Sequence, residues 1–425
     1  MIAEEFLHFV WQLRLFNQLN LFSQAGEVIR IVHPGRHNKD AGPDFLHAVV
    51  SINDWEWHGH VEMHVDGADW NRHQHQNDTA YNNVVLHVVM HNPVPVCRAD
   101  GTFIPTLVLA DYLDPNLIYR YADMMKSLSW IPCAAQLPTV EAIHKFQTLD
   151  RALLGRLEQK ALFVEGLWKE TLGDWERTLF MMLCRAFGMK VNADVFLDFA
   201  KDLNFDLLRK YHHHQFKLEA LCYGQAGLLT GKLKDPYILS LREEYRYLQQ
   251  LHGLKTQVEL NWRSMRMRPF NFPAFRMAQL LALYARYPYF FQRVMDATAL
   301  SQLTVPMLAI QASAYWEDHF SFGRKAPHHA TKLTKSFVEH LTINVFVPLV
   351  YTYGKIVGEV DMQQRALDWL MEMPAEDNKI TRKFVAIGMP IEKAADSQAV
   401  LHLHAQYCLA KRCLHCVVGN ALLKP

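Results

Sequence analysis

Long apolar runs are missing from this sequence, although 50% of its 425 residues are hydrophobic. None of the uninterrupted apolar stretches reaches the roughly 20 residues that a membrane-spanning helix needs. Residues 1–19 mix apolar with polar residues and carry acidic residues near the start, which predicts an amphipathic helix rather than a signal peptide. We therefore expect a folded cytoplasmic protein without a membrane partner.

Cysteine is scarce, and several common catalytic motifs are absent. The chain has 7 cysteines, an odd number that is unevenly distributed, which argues against a secreted disulfide framework. Because a Walker-type glycine-rich loop is missing, ATP-driven action would need a partner. The Gly-x-Ser-x-Gly elbow of many hydrolases is missing as well, and no other serine or cysteine nucleophile arrangement stands out.

A strong charge of either sign is also missing, since the formal net charge is +1. The charge is nevertheless uneven along the chain. Residues 1–125 contain 7 Lys and Arg against 15 Asp and Glu, which leaves 37 against 28 in the remainder. An acidic part with metal ligands and a basic part that holds a polyanion is what a nuclease would need, but docking of oppositely charged domains would produce the same pattern.

One short region near the N-terminus concentrates the residues that could carry chemistry. Its sequence predicts a β-hairpin, because a run over residues 48–52 rich in β-branched side chains is followed by the turn signal Asn53-Asp54. Apolar and polar residues then alternate over residues 55–65. The residue numbers of each cross-strand pair in this hairpin would sum to about 107.

In that register Asp44 faces Met63, between Glu62 and His64. Alternation places four residues on one strand face, which is a candidate site, and the opposite face would pack in the core. The four residues are His58, His60, Glu62 and His64.

Two carboxylates brought together in this way suit a hard divalent cation that keeps waters and substrate phosphate as its other ligands. Asp44 and Glu62 would bind Mg2+ or Mn2+, which can generate a hydroxide nucleophile. His64 would orient the attacking water or contact the scissile phosphate. These three residues are the predicted catalytic set.

The pattern resembles the active-site hairpin of the PD-(D/E)XK nuclease superfamily. Pro43-Asp44 is followed, after 17 residues, by Glu62-Met63-His64. The resemblance implies a restriction-endonuclease-like α+β domain with metal-dependent nuclease activity, and an acidic residue on the preceding helix that Glu4 or Glu5 could supply. The third position of the superfamily motif is usually lysine, and here it is His64. The whole chain also resembles a family of uncharacterised proteins, catalogued only as a domain of unknown function.

Two other interpretations of the region remain open. Asp44 could simply end a turn, with Glu62 solvated on the open face of an antiparallel sheet. Alternatively, a histidine cluster could hold a transition metal such as zinc, iron, copper or nickel, although no fixed spacing such as His-Glu-x-x-His appears. The candidate ligands are His73, His75 and Asp78 in a polar loop, with His87 and His91 on one face of a predicted strand over residues 84–91.

The rest of the chain is expected to be helical. Further strands are predicted over residues 27–33 and 102–109, the latter at a sheet edge because it contains Pro105. From Asp114 onward, helix caps and amphipathic runs dominate. The predicted fold is α+β, with a mixed or antiparallel sheet domain at residues 1–125, a large all-α domain at 126–400 and a Cys/His-rich tail at 401–425. Four successive helices are predicted at 140–173, 174–188, 193–212 and 216–230.

Arginines interleave with aromatic residues between residues 261 and 276. This combination is typical of surfaces that contact a nucleic acid backbone and stack its bases, so DNA or RNA is a candidate partner. The alternative is that the rings anchor a loop while the arginines bind carboxylates or carbonyls. The candidate nucleic-acid-binding residues are Arg263, Arg266, Arg268 and Arg276.

The tail carries three thiols, Cys408, Cys413 and Cys416, in a compact segment. They suit tetrahedral zinc or an iron–sulfur cluster if a fourth ligand is available. Cys133 would supply it from a distance, and His404 and His415 are local alternatives. Some RecB-like nucleases hold a cluster with one early and three late cysteines, and this layout is loosely similar. Otherwise the cysteines are reduced and unliganded on an amphipathic helix.

The sequence therefore predicts a metal-dependent nuclease that hydrolyses phosphodiesters. One alternative is a non-catalytic scaffold or degenerate nuclease fold that binds protein or nucleic acid. Another is a transition-metal hydrolase that uses the N-terminal histidines. Oligomeric state is left open.

Overall fold

The computed structural model describes residues 2–230, 235–255 and 260–424. The chain forms two compact units. The first comprises Met1–Ala152, Asn378–Pro390 and Val400–Pro425, and the second comprises Leu153–Asp377 and Ile391–Ala399. The Cys/His-rich tail is thus part of the first unit.

The first part of the chain contains all strands of the main sheet. Its elements are α1 (Glu4–Gln12), β1 (Leu21–Phe22), β2 (Val28–His33), β3 (Arg36–His37), β4 (Phe45–Ile52), β5 (Trp55–Asp66), α2 (Asp69–Arg72), β6 (Val84–His91), β7 (Val96–Cys97), β8 (Phe103–Ile104), β9 (Thr106–Val108) and α3 (Pro115–Lys126).

The remainder is mostly helical. Its elements are α4 (Ala142–Glu170), α5 (Trp175–Phe187), α6 (Ala193–Asp202), α7 (Phe205–Tyr211), α8 (Gln215–Gln225), α9 (Pro236–His252), α10 (Pro273–Arg286), α11 (Phe290–Asp296), α12 (Ser301–Met307), β10 (His319–Ser321), β11 (Arg324–Lys325), α13 (Lys335–Leu341), α14 (Val347–Val357), α15 (Val360–Glu372), α16 (Lys379–Ala386), α17 (Ala394–His402) and α18 (Val417–Leu423). Two π-helical segments occur at Thr342–Phe346 and Leu403–Cys408.

The main sheet is mixed, as the sequence predicts. Its strand order is β1-β2-β4-β5-β6-β9, with β3 beside β4. The strands β2, β4 and β5 are antiparallel neighbours, whereas β5, β6 and β9 run parallel. The predicted edge position near Pro105 is confirmed, because β9 ends the strand order. The predicted single strand over residues 102–109 is divided at this proline into β8 and β9.

The hairpin of β4 and β5 has the predicted turn and most of the predicted register. Asn53 and Asp54 both adopt positive φ, as a two-residue hairpin turn requires. Partners such as Ile52 and Trp55 pair as expected. His47, at φ +56°, then introduces a β-bulge that shifts the pairing by one residue. The expectation that Asp44 faces Met63 is corrected by this bulge, since it brings Asp44 level with Glu62.

Both faces of the central strands are covered. Val61 and Met63 of β5 pack against apolar residues of α1, and every residue of β6 except His91 is buried. Burial on two faces is expected where strands run parallel. Helix α1 ends at Gln12, earlier than predicted, because Arg14 adopts φ +53°.

The second unit is built from helices, with one exception to the all-α prediction. The strands β10 and β11 form a separate two-stranded antiparallel sheet. The helix predicted over residues 193–212 is divided into α6 and α7, since Asn204 caps the second helix through its side-chain oxygen. Among the described residues, no helix combines the length and apolarity needed to cross a membrane.

Candidate metal centre

The carboxylates predicted to bind metal lie side by side at the open end of the β4–β5 hairpin. The Asp44 backbone N–H donates to Glu62 Oε2 at 3.1 Å, and the Met63 N–H donates to Asp44 Oδ2 at 2.9 Å. These reciprocal bonds follow from the bulge at His47, which aligns the two strands here. Glu62 is 5% exposed, so its carboxyl group is almost completely removed from water.

Helix α1 adds two more candidate ligands to this end of the hairpin. Glu4 and His8 are four residues apart and therefore lie on the same helix face. One ligand atom each from Glu4, His8 and Asp44 lie within 4.8 Å of one another. His8 Nε2 is 3.3 Å from Asp44 Oδ2. Of the two acidic residues that the sequence offered on this helix, Glu4 joins the group, whereas Glu5 lines a neighbouring cavity.

A second group of ligand atoms comes from His64, His73 and His75, which also lie within 4.8 Å of one another. Glu62 connects this group with the first. Its Oε1 atom is 3.6 Å from His64 Nε2 and 3.4 Å from His75 Nε2. His64 comes from β5, whereas His73 and His75 come from the loop after α2, so the loop folds back over the strand. The two groups therefore form one continuous centre.

His87 of β6 contacts this centre through a hydrogen bond with His64. Its Nε2 atom is 2.9 Å from His64 Nδ1, and its Nδ1 atom is 3.5 Å from Thr106 Oγ1. A ring that is hydrogen-bonded through one nitrogen directs the other nitrogen toward the site. The contact with His87 therefore aims His64 Nε2 at Glu62.

Several nitrogen atoms of this centre have no hydrogen-bond partner. Among the described residues, the buried Nε2 atoms of His8, His64 and His75 form no hydrogen bond, although each faces a carboxylate oxygen of Asp44 or Glu62 at 3.3 to 3.6 Å. Buried polar atoms usually form hydrogen bonds, so three nitrogens that only approach carboxylates require an explanation. A bound cation that accepts their lone pairs would provide one.

Burial sets the protonation of the centre. It lowers the pKa of His64 to about 2, with repulsion from His87 and His75 adding to the effect, and lowers that of His87 to about 3. Burial, together with the nearby carboxylates of Asp44 and Glu4, raises the pKa of Glu62 to about 9. At neutral pH both imidazoles are uncharged and Glu62 holds a proton. Neutral imidazoles are the form that binds a metal.

A groove opens beside the centre in the same unit. It encloses about 410 Å³ and shares His8 with the metal group. Its walls carry the cationic side chains of Arg36, Lys39 and Arg151. Because guanidinium and ammonium groups bind phosphate, the groove suits an anionic ligand next to a cation.

Other histidines predicted for this region lie apart from the centre. His58 is exposed and contacts Glu56, and His60 accepts from the backbone N–H of His47. A register shift between His60 and Val61 separates this half of β5 from Glu62 and His64, so the predicted face does not form one site. His91 is exposed at the end of β6. Asp78 caps a 3-10 turn by accepting from the Ala80 N–H.

The predicted arginines lie in the second unit and differ in exposure. Arg263, Arg266 and Arg268 are exposed in the segment before α10. Arg276 is 8% exposed; its guanidinium donates to Asn271 and Gln279 and stacks 3.8 Å from the ring centre of Phe337. Its guanidinium is therefore used inside the helical unit.

The four predicted cysteine ligands all lie in the first unit, and none forms a disulfide bond. One residue of this candidate centre was missed by sequence reasoning, namely His8. Its spacing of four residues from Glu4 on an amphipathic helix was the signal that could have identified it.

Comparison with known proteins identifies one family. A family model described as "Protein of unknown function (DUF2851)" matches residues 4–379. No curated protein and no solved structure matches the chain.

Proposed function

The chain belongs to the DUF2851 family, and from the geometry of its metal centre we propose that it is a metal-dependent hydrolase that cleaves phosphodiester bonds in nucleic acids. One observation carries this proposal. Three carboxylates converge with three buried histidine nitrogens that lack hydrogen-bond partners. The residues are Glu4, Asp44 and Glu62 with His8, His64 and His75.

The mixed donor set selects the metal. Carboxylates alone suit Mg2+, whereas imidazoles favour first-row transition metals. A site with both carboxylate and imidazole ligands is best matched by Mn2+, Fe2+ or Zn2+. Of the two metals predicted from the sequence, Mn2+ is therefore preferred over Mg2+. Asp44 and Glu62 would hold the cation, and Glu4 and His8 would complete its shell from the helix.

The role of His64 follows from its environment. Because burial lowers its pKa to about 2, this imidazole is a poor acceptor for a proton from water. We therefore assign the activation of water to the metal, which supplies a hydroxide nucleophile when bound. His64 would orient the attacking water or contact the scissile phosphate. This assignment accounts for a histidine at the position where the PD-(D/E)XK superfamily usually has lysine.

The substrate class rests on the basic groove. Arg36, Lys39 and Arg151 line a cavity that adjoins the carboxylates, so a phosphate backbone could lie in the groove with one phosphate next to the cation. The exposed arginines of the second unit, Arg263, Arg266 and Arg268, are proposed as nucleic-acid contacts of that unit.

Cleavage assays test the proposal. Protein stripped of metal with a chelator is incubated with labelled single-stranded and double-stranded DNA and RNA, and Mn2+, Zn2+ or Mg2+ is then added. We expect cleavage with Mn2+ that is abolished in Asp44→Asn and Glu62→Gln and retained in Glu56→Gln. Glu56 is a suitable control because it lies on the same strand but is exposed. Metal binding without cleavage of any substrate would favour a non-catalytic binding protein.

A second candidate is a transition-metal hydrolase centred on the histidines alone. The observation that favours it is that His64, His73 and His75 bring three imidazole ligand atoms within 4.8 Å of one another, beside Glu62. Activity retained in Asp44→Ala but lost in His87→Ala would support this assignment, because His87 orients His64 and does not contact Asp44.

A further inference from the structure

A cavity of about 570 Å³ lies within the helical second unit. A volume of this size is common for sites that hold small molecules. The residues that line it fall between Arg156 and Pro348, so the cavity belongs entirely to the second unit. It shares no residue with the metal centre.

One face of α4 forms a wall of this cavity. Arg156, Lys160 and Phe163 follow one another at intervals of four and three residues, so their side chains project from one face of the helix. Arg185 of α5 lies over the Phe163 ring, with its guanidinium carbon 4.8 Å from the ring centre. The ring remains 38% exposed. The wall therefore presents both cationic groups and an aromatic surface.

Positive charge predominates in the lining. Among the described residues that line the cavity, four are Lys or Arg and one, Asp194, is acidic. Asp194 pairs with Arg185 at 3.7 Å. Glu376 lies outside the lining, but its charge acts on both Arg156 and Lys160. Four cations against these two acids leave an excess of positive charge when Lys160 is protonated, so the cavity suits an anionic ligand. The four cations are Arg156, Lys160, Arg185 and Lys190.

Lys160 is the most constrained of these cations. Its Nζ atom donates to the Ile343 carbonyl oxygen at 2.9 Å and to Asn344 Oδ1 at 3.2 Å. Burial, together with the charge of Arg156, lowers the pKa of Lys160 to about 7. An anion beside this ammonium group would stabilise its charged form, because opposite charges favour ionisation.

The segment that contacts Lys160 is the π-helix Thr342–Phe346. Just before it, His340 Nε2 donates to the Ala186 carbonyl oxygen at 3.2 Å, and His340 Nδ1 accepts from Asn344 Nδ2 at 3.1 Å. These bonds connect the π-helical wall with α5, as the Lys160 bonds connect it with α4. Such π-helical turns are frequent at functional sites. The polar groups of the cavity are therefore held in place by the protein itself.

Other parts of the lining are apolar. Met182 and Met189 line the cavity together with the exposed ring of Phe163. Methionine side chains adapt to the shape of a bound group, and aromatic rings stack on nucleobases. A simple inorganic anion would leave these apolar surfaces uncovered. A ligand that carries both phosphate and a planar ring would use them.

We propose that this cavity binds a nucleotide, with its phosphate groups at Arg156, Lys160 and Lys190 and its base against the Phe163 ring. Arginine and lysine bind phosphate through charge-assisted hydrogen bonds. The inference is independent of the proposed hydrolase activity, because no residue of the carboxylate and histidine centre lines the cavity. The nucleotide is a bound ligand here, and no hydrolysis of it is required.

Calorimetric titration of the full-length protein, stripped of metal with a chelator, tests the proposal. We expect at least one of ADP, GDP, CDP and UDP to bind, with one molecule per chain. Pyrophosphate and the corresponding free nucleoside should each bind at least about tenfold more weakly, because each lacks one of the two recognised groups. Asp44→Asn should bind the nucleotide as the wild type does, which separates this site from the metal centre.

Substitutions in the wall assign the two parts of the site. Lys160→Gln and Lys190→Gln should each weaken nucleotide binding about tenfold, since each removes a charge-assisted contact. Phe163→Ala should weaken binding of the nucleotide but not of pyrophosphate. Lys169→Gln is the matched control and should bind as the wild type does, because Lys169 is exposed on the same helix and is not part of the lining.

A wild-type measurement guards against variants that fail to fold. A photoreactive azido derivative of the nucleotide that binds should label peptides from residues 156–194 or 340–348, and an excess of the parent nucleotide should prevent the labelling. Failure of all four nucleotides to bind the wild type would overturn the proposal. So would equal affinity for pyrophosphate and the nucleotide, unchanged affinity in both lysine variants, or labelling confined to the first unit.

Discussion

Replacing Glu62 by glutamine should remove the proton that metal binding displaces. Burial beside Asp44 raises the pKa of Glu62 to about 9, so this carboxyl group carries a proton at pH 7.5. A divalent cation requires the ionised carboxylate and therefore releases almost one proton from this residue. Glutamine keeps the shape and the acceptor for the Asp44 N–H, but it has no proton to release.

The effect of this proton on metal affinity can be measured as a function of pH. In the wild type, competition from this proton should make the apparent metal affinity rise about tenfold per pH unit up to about pH 9, and level off above it. In Glu62→Gln, the part of this pH dependence that comes from Glu62 should be absent. His64 and His87 do not blur the comparison, because burial keeps both imidazoles neutral over this range.

Calorimetric titration of the stripped protein with Mn2+, in buffers of different ionisation enthalpy, measures the released protons. The difference between wild type and Glu62→Gln should approach one proton near neutral pH and should vanish at pH values well above the raised pKa of Glu62. Glu56→Gln should match the wild type. Equal proton release from wild type and Glu62→Gln at saturating metal would refute the assignment of Glu62 as a ligand.

Three further predictions concern stability and fold. Because the pKa of Glu62 is raised on folding, the folded protein binds more protons than the unfolded chain between about pH 4.5 and 9. Its free energy of unfolding without metal should therefore fall as the pH rises through that interval. Urea titrations should show a weaker fall in Glu62→Gln. Gly59→Ala should lower the midpoint of thermal unfolding, since a Cβ would lie 2.4 Å from the Asn83 carbonyl oxygen. An unchanged midpoint would contradict this close approach of β5 to the Asn83 backbone. Arg276→Ala should destabilise the protein by about 2 kcal/mol or more in urea unfolding because it leaves Asn271 and Gln279 without their buried partner, whereas Arg268→Ala should leave stability unchanged.

The hairpin was predictable because its signals are local. The Asn53-Asp54 turn and the alternation after it determined the pairing from Ile52 to Ala48. The bulge was not predictable, since it depends on His47 adopting a positive φ that residues other than glycine rarely adopt. This one residue changes which side chain Asp44 approaches.

The composition of the site depended on contacts between distant segments. Sequence reasoning offered Asp44, Glu62 and His64 as one interpretation and His73, His75, Asp78, His87 and His91 as another. The structure brings His73, His75 and His87 to the first set, whereas Asp78 and His91 lie apart from it. The loop after α2 has no pattern that indicates over which strand it folds. Similarly, the sequence around Arg276 could not distinguish an exposed cation from a buried one, because the aromatic ring of Phe337 that covers it lies 61 residues further along the chain.

The most direct test of the central claim is an anomalous diffraction experiment on crystals soaked in Mn2+. Data collected at the manganese absorption edge locate the bound ion without any assumption about substrate. We predict a strong peak within bonding distance of the Asp44 and Glu62 carboxylates, with a histidine nitrogen from α1 or the loop after α2 in its shell. A peak elsewhere on the protein, or no peak at saturating Mn2+, would contradict the account.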